Sequence, residues 1–267
     1  MNLKTPKKGL RRTDLASELI RPRVIKTDEW ISETTVAVTA SDAAAIGKPA
    51  GIYTSVVSPA VLRNAPDIYP RLIAAMSKIL RKYLKGANDV LVIGLGNPAM
   101  KADSLGAETV ARATAGGKIK TLLPSVSAVT GIESFDVIRA VTREIKPKAV
   151  IVADALCAAS GKRLGTVFQI ADAGITPGSG VGNARREISH STLGVPVISV
   201  GVPTVVYART VAREAGGDGK KADEIIFTLS EIDRVAKDAG GVIGEAINAA
   251  MGATRENSCA RADKVIE

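Results

Sequence analysis

The sequence predicts a single α/β domain in three layers, α/β/α, with a largely parallel sheet between the helices. Three observations predict it. Short apolar runs recur along the chain, among them Val90-Leu91-Val92-Ile93 behind Asp89, residues 149–153 and residues 197–200. Stretches with helical spacing of apolar residues lie between these runs. The chain is 46% hydrophobic but only 3% aromatic, so Val, Ile, Leu and Ala must build the core. Such residues fill parallel strands that are covered on both faces.

Taken in order, residues 34–39 and 51–57 are β-rich and separated by a small-residue stretch with Gly47 and Pro49, which predicts a hairpin or two neighbouring strands. Ile68, Leu72, Met76, Ile79 and Tyr83 recur at helical spacing over residues 66–85, and Gly86 is a natural stop. Residues 89–93 form a strand that runs into Gly94-Leu95-Gly96-Asn97, and a helix follows from near Asp103 to Val110. Residues 119–123 read as a strand. Thr130-Gly131-Ile132-Glu133 has the form of a capping box, opening a helix that continues through Phe135, Ile138, Val141 and Ile145. Residues 149–153 form a strand ending at Asp154, and residues 166–171 and 197–200 add two more. Residues 223–250 read as a helical tail region interrupted near Gly240-Gly241.

The formal charge of +9 invites a nucleic-acid reading, but its distribution weakens it. Five cations against one acid in residues 1–14 account for almost half of the excess. The others are scattered, without interleaved aromatic residues on which bases stack. Residues 1–14 therefore read as a basic leader, and no nucleic-acid partner is expected. Cys157 and Cys259 are too few for a disulfide framework or a zinc site, which suits a reducing cytoplasm. The charged start is not followed by the apolar stretch of a secretory signal. Residues 194–208, the most apolar segment, are broken by Pro196 and Pro203 and too short to span a bilayer, so no membrane is expected.

Two aspartates stand out. Asp103 follows one central strand and Asp154 ends another, and sites in open α/β sheets gather beyond the carboxyl ends of strands. Two carboxylates brought together repel, so one keeps its proton while the other ionises, and such a pair can act as general acid and general base. From position alone, helix and turn capping is the plainer role for both. Gly94-Leu95-Gly96-Asn97-Pro98-Ala99 fits the loose dinucleotide pattern, but no acidic residue closes a following strand to hold a ribose. A tight turn that brings backbone close to a neighbour or substrate explains the glycines, and no cofactor is expected. The glycine-dense run from Gly174 through Gly178, Ser179 and Gly180 to Asn183 lacks the lysine of a phosphate loop. It is either a structural loop or one that turns N–H groups to a substrate carbonyl, with Asp172 orienting it or capping a turn. A Cys157 nucleophile requires His190, the sole histidine, beside it, and a single histidine also argues against a metal site.

Arg12-Thr13-Asp14-Leu15-Ala16, Gly94-Leu95-Gly96-Asn97 with Asp103-Ser104-Leu105-Gly106, Thr130-Gly131-Ile132-Glu133 and Asp154-Ala155-Leu156 occur in the order seen in spore germination proteases. The runs from Gln169 to Ile175, Pro177 to Asn183, Thr192 to Ile198 and Gly201 to Val206 complete a resemblance that covers residues 12–206. Ala107 departs from the proline usual after Leu-Gly. The resemblance implies a fold similar to hydrogenase maturation peptidases, a homotetramer, and an endopeptidase in the spore core that cuts small acid-soluble spore proteins during germination. It implies that Asp103 and Asp154 stand where the family's proposed catalytic aspartates stand. It also implies a zymogen: residues 13–19 look like the family's cleavage sequence, so cleavage between Asp14 and Leu15 is expected, leaving residues 15–267 as the peptidase domain. The alternatives are a non-catalytic sporulation protein that keeps the fold, and a nucleotide-dependent oxidoreductase built on the Gly94 turn. Thr13 and Asp14 acting only as helix caps is the plainer reading of the leader's end.

Overall fold

The computed structural model describes residues 12–59, 65, 67–217 and 225–253. Most of the basic leader and Cys259 lie outside the described residues, as does Asp223. Nine strands form one sheet: β1 (Arg23–Thr27), β2 (Ser32–Val38), β3 (Gly51–Val57), β4 (Val90–Gly94), β5 (Ile119–Leu122), β6 (Ala149–Ala158), β7 (Val167–Ala171), β8 (Val197–Tyr207) and β9 (Ile226–Thr228). Their spatial order is β1-β2-β3-β7-β8-β6-β4-β5, with β9 paired to β8. The expected parallel sheet is the half made of β8, β6, β4 and β5. From β8 outwards, β7, β3, β2 and β1 add on in antiparallel fashion. The sheet is therefore mixed: α3 links β4 to β5, α4 and α5 link β5 to β6, and β7 lies in the connection from β6 to β8.

The helices are α1 (Ala40–Ile46), α2 (Ile68–Leu84), α3 (Leu105–Arg112), α4 (Ser127–Thr130), α5 (Ser134–Ile145), α6 (His190–Leu193), α7 (Ala208–Glu214) and α8 (Ile232–Met251). Strand residues alternate between two cores. Val90, Val92 and Ile151 face Leu72, Met76 and Leu80 of α2 and Ile243 and Ile247 of α8. Leu91, Ile93, Val150 and Val152 face Phe135 and Ile138 of α5. Burial on both faces explains why these runs carry no polar positions.

Three local expectations are corrected. Thr130 does not open a helix: Gly131 turns left-handed and ends α4, and α5 starts at Ser134 without a side-chain cap. The side chain of Glu133 pairs instead with Arg185 at 3.4 Å. The strand through Asp154 does not end there, because β8 is long enough to pair with β6 as far as Ala158. Gly240-Gly241 does not interrupt the last helix, since α8 runs through both. Gly240 is instead the contact point where α8 crosses α3: a Cβ there would collide with the Cβ of Glu108 and press on the backbone of Thr109. Gly241 faces open space.

This contrast is testable. Alanine in place of a helical glycine gains about 1 kcal/mol of helix propensity. Gly241→Ala should therefore raise the urea midpoint, whereas Gly240→Ala should lower it, because overpacking against α3 costs roughly 1–3 kcal/mol.

Candidate active site

The site lies where β6, β8 and β7 run side by side. Their register puts Asp154 opposite Gly201, and Gly201 opposite Gln169. Residues paired across neighbouring strands point to the same face. Asp154 and Gln169 thus flank a position with no side chain. A Cβ on Gly201 would crowd the carbonyl of Asp154 at 2.6 Å and collide with the side chain of Leu156, which packs over this glycine.

Asp103 arrives from the loop after β4. The chain leaves that strand through Gly94, makes a 3-10 turn at Lys101–Asp103 and enters α3. Gly94 and Gly106 are in backbone contact, which seats the start of α3 against the strand end. Gly96 has φ +97, and a Cβ there would strike Asp103, so the loop can fold over that carboxylate only with glycine. The Asn97 N–H donates to Asp103 Oδ2 at 2.7 Å, and Asn97 Oδ1 accepts from Ala99 N–H. The glycine motif is thus a turn that cradles a carboxylate. Asp103 is not a cap of α3, whose first position has no side-chain cap. Asp154 is not a cap either, being a buried residue within β6.

Burial raises the Asp154 carboxyl well above the usual carboxylate range, and the charges of Asp103 and then Asp14 push it further, with the Ala155 amide acting against them. Burial also raises Asp103, opposed by the hydrogen bond from Asn97. The structure therefore brings Asp103 and Asp14 close enough to Asp154 for their charges to bear on it. Of Asp103 and Asp154, Asp154 holds its proton more strongly.

The third acid comes from the leader. Asp14 N–H donates to the Cys157 carbonyl at 2.8 Å, and Cys157 N–H returns a bond to Asp14 Oδ2 at 2.9 Å. Lys48 Nζ and Ser179 Oγ both reach Asp14 Oδ1 at 2.9 Å. Gly180 leaves room for this carboxylate, since any Cβ there would overlap it. Leu15 is fully buried with Leu156, Ala158 and Val167. The Gln169 amide spans Leu15: its Nε2 donates to the Asp14 carbonyl at 3.0 Å, and its Oε1 accepts from Ala16 N–H at 2.9 Å. Thr13 Oγ1 accepts from Leu15 N–H and donates to Glu18. The short 3-10 helix Ala16–Glu18 has no side-chain cap, so neither Thr13 nor Asp14 acts as one.

Other expected site residues have structural tasks. Asp172 Oδ1 accepts from Ile52 N–H at 2.7 Å, which ties β7 to the start of β3 and leaves the 174–183 loop to other contacts. Gly178, left-handed, and Asn183 close that loop on each other through the bond from Asn183 N–H to the Gly178 carbonyl. Burial, Asp14 and Glu18 push the Cys157 thiol up to about 12, which makes it a poor nucleophile. Among the described residues no cluster of side chains suits a metal ion, and no helix is long and apolar enough to cross a membrane. Gln169, Lys48 and Gly201 were not foreseen as site residues. A glutamine inside the apolar strand Val167-Phe168-Gln169-Ile170-Ala171 was a readable signal for the first. Lys48 had none.

The fold and site define an α/β protein with two aspartates in electrostatic contact and a stretch of its own chain bound to Gln169. A family model described as germination protease matches residues 17–216, and the chain belongs to that family. It is 39% identical over 187 residues to the germination protease of Caldanaerobacter subterraneus, covering 64% of this chain and 58% of that protein. With those of Priestia megaterium and Bacillus subtilis it shares 33% identity over 235 residues and 34% over 224, covering 80% and 76% of this chain and 61% and 58% of theirs. The chain thus spans about three fifths of the length of these curated relatives. A solved structure of the NiFe hydrogenase maturation protease HycI from Thermococcus kodakarensis superposes with a TM-score of 0.43 at 18% identity, covering 64% of this chain and 99% of that one.

The raised carboxyl has a consequence for stability. The folded protein keeps a proton on Asp154 at pH values where the unfolded chain has lost it, so the folded state binds more protons. Stability falls as pH rises from the ordinary carboxylate range through the raised folded value, by at most about 1.4 kcal/mol per pH unit for one group. Asp154→Asn has no such proton to lose. Urea unfolding at a series of pH values should show the variant gaining on the wild type across that window, and a difference that stays constant with pH would contradict it.

Proposed function

We propose that the chain is an endopeptidase in which Asp154 and Asp103 are acid and base, and that its first substrate is its own bond between Asp14 and Leu15. The observation that carries this reading is the docking of residues 14–16: Gln169 holds the Asp14 carbonyl and the Ala16 N–H on either side of Leu15, and the buried, proton-holding Asp154 lies across Gly201 on the same face of the sheet. The more readily ionised Asp103 takes one proton from a water as its oxygen bonds to the Asp14 carbonyl carbon. Gln169 Nε2 donates to the carbonyl oxygen as charge develops there. Asp154 gives its proton to the Leu15 nitrogen as the C–N bond breaks. The products are an Asp14 carboxyl terminus and a free Leu15 amine, and the carboxyl pair has passed a proton from one member to the other.

The germination protease family and the cleavage-like sequence around Asp14 support a zymogen that processes itself. They also support small acid-soluble spore proteins as the later substrates, in the spore core, with a homotetramer as the working form.

Asp103→Asn and Asp154→Asn should each slow processing and substrate cleavage by roughly 10²- to 10⁴-fold while the fold persists. Activity should follow a bell-shaped pH curve whose acid limb lies above the ordinary carboxylate range, because Asp103 is raised and must be ionised. N-terminal sequencing of protein left to mature should find Leu15 first. A fully active chain that still starts at Met1 would refute the self-processing reading.

A further inference from the structure

We propose, on the peptidase reading above, that Lys48, Ser179 and the Cys157 amide form the subsite that selects an acidic residue before the cut bond, and that Asp14 occupies it as an internal ligand. Four features converge on that carboxylate. Lys48 Nζ donates to Asp14 Oδ1 at 2.9 Å and to Ser179 Oγ at 3.3 Å. Ser179 Oγ–H donates to the same oxygen, and Cys157 N–H to the other. Gly180 supplies a floor that no side chain can share. Each carboxylate oxygen is thereby satisfied, in a place where the Lys48 side chain is only 9% exposed.

A buried ion pair is a weak device for stability, because desolvating both charges offsets most of their attraction. It is a strong device for discrimination: an uncharged or basic side chain in the same place leaves Lys48 buried without a partner. Lys48 lies in the turn between α1 and β3, and Ser179 in the loop after β7, so neither belongs to the leader that they grip. The pocket is built by the body of the fold. The same logic extends past the bond. Leu15 fills an apolar pocket, and Ala16 is fully buried beside Val36, Val38 and Tyr53, where only a small side chain fits. The cleft thus reads acid, then apolar, then small. While Asp14 is in place, no other chain can enter the acidic position, so the leader is also a plug.

The test compares self-processing and cleavage of two synthetic peptides, Arg-Thr-Asp-Leu-Ala-Ser-Glu and its Asp-to-Lys counterpart, in the full chain and its variants. Wild type should cut the acidic peptide and leave the lysine one almost untouched. Lys48→Met and Ser179→Ala should narrow that preference, the former by roughly a hundredfold. Because Lys48→Met strands a buried acid and is liable to weaken the fold, melting temperatures accompany each variant, and the exchange pair Asp14→Lys with Lys48→Glu provides the second arm. That pair should process itself where Asp14→Lys alone does not, and should invert the peptide preference. A wild-type enzyme that cuts, beside variants of unchanged preference and an exchange pair that stays unprocessed, overturns the subsite and leaves the peptidase reading standing. A wild type that neither processes itself nor cuts either peptide overturns the peptidase reading and the subsite with it.

Discussion

Burying a carboxyl group inside a β-strand is the constraint on which the rest of the site depends. Asp154 is placed within β6, with two further acids as neighbours, so that the medium and the local charges both oppose its ionisation. Water solvates a carboxylate far better than a protein interior does, and the group responds by holding its proton. A neutral acid poised beside a more easily ionised one is an unequal pair, and an unequal pair can divide the work of acid and base. The surrounding architecture maintains this inequality. Gly94, Gly96 and Gly106 let the loop after β4 approach closely enough to deliver Asp103, and Asn97 keeps the delivered carboxylate oriented through its N–H.

The sheet contributes by changing direction. Its parallel half ends strands and begins helices on the side where Asp103 enters, as in other doubly wound sheets. Its antiparallel half brings Gln169 alongside through β7, with Gly201 of β8 between the glutamine and Asp154. Two differently built halves thus meet at one glycine, over which Leu156 packs. Residues 14–16 are held by both amide ends of Gln169, a backbone recognition indifferent to sequence, and by pockets for Asp14, Leu15 and Ala16 that are not.

Much of this was legible in the chain. The apolar runs of β4, β6 and β8 and the helical spacing of α2 and α5 are local patterns, set by side-chain alternation and periodicity within a few residues. The resemblance drew attention to Asp103, Asp154, Asp14 and Leu15, because ordered motifs survive where overall identity is modest. Local patterns misled where neighbours in space overrode them. Thr130 and Glu133 have the spacing of a cap, but Gly131 ends one helix between them. Gly240-Gly241 has the composition of a break, but packing of α8 on α3 needs a glycine there and holds the helix together.

By itself, then, the sequence determined the alternation of strands and helices and the two aspartates that follow central strands. Hydrophobic periodicity and turn chemistry act over short spans and are written residue by residue. Only the tertiary structure decided that Asp14 meets Lys48 and Ser179, residues 34 and 165 positions away, and that Gln169 and Asp154 flank one glycine. Those contacts depend on which strands pair and in what register. Pairing is settled by the joint burial of both sheet faces, so a lysine in a small-residue turn carries no local sign of the carboxylate it will bind.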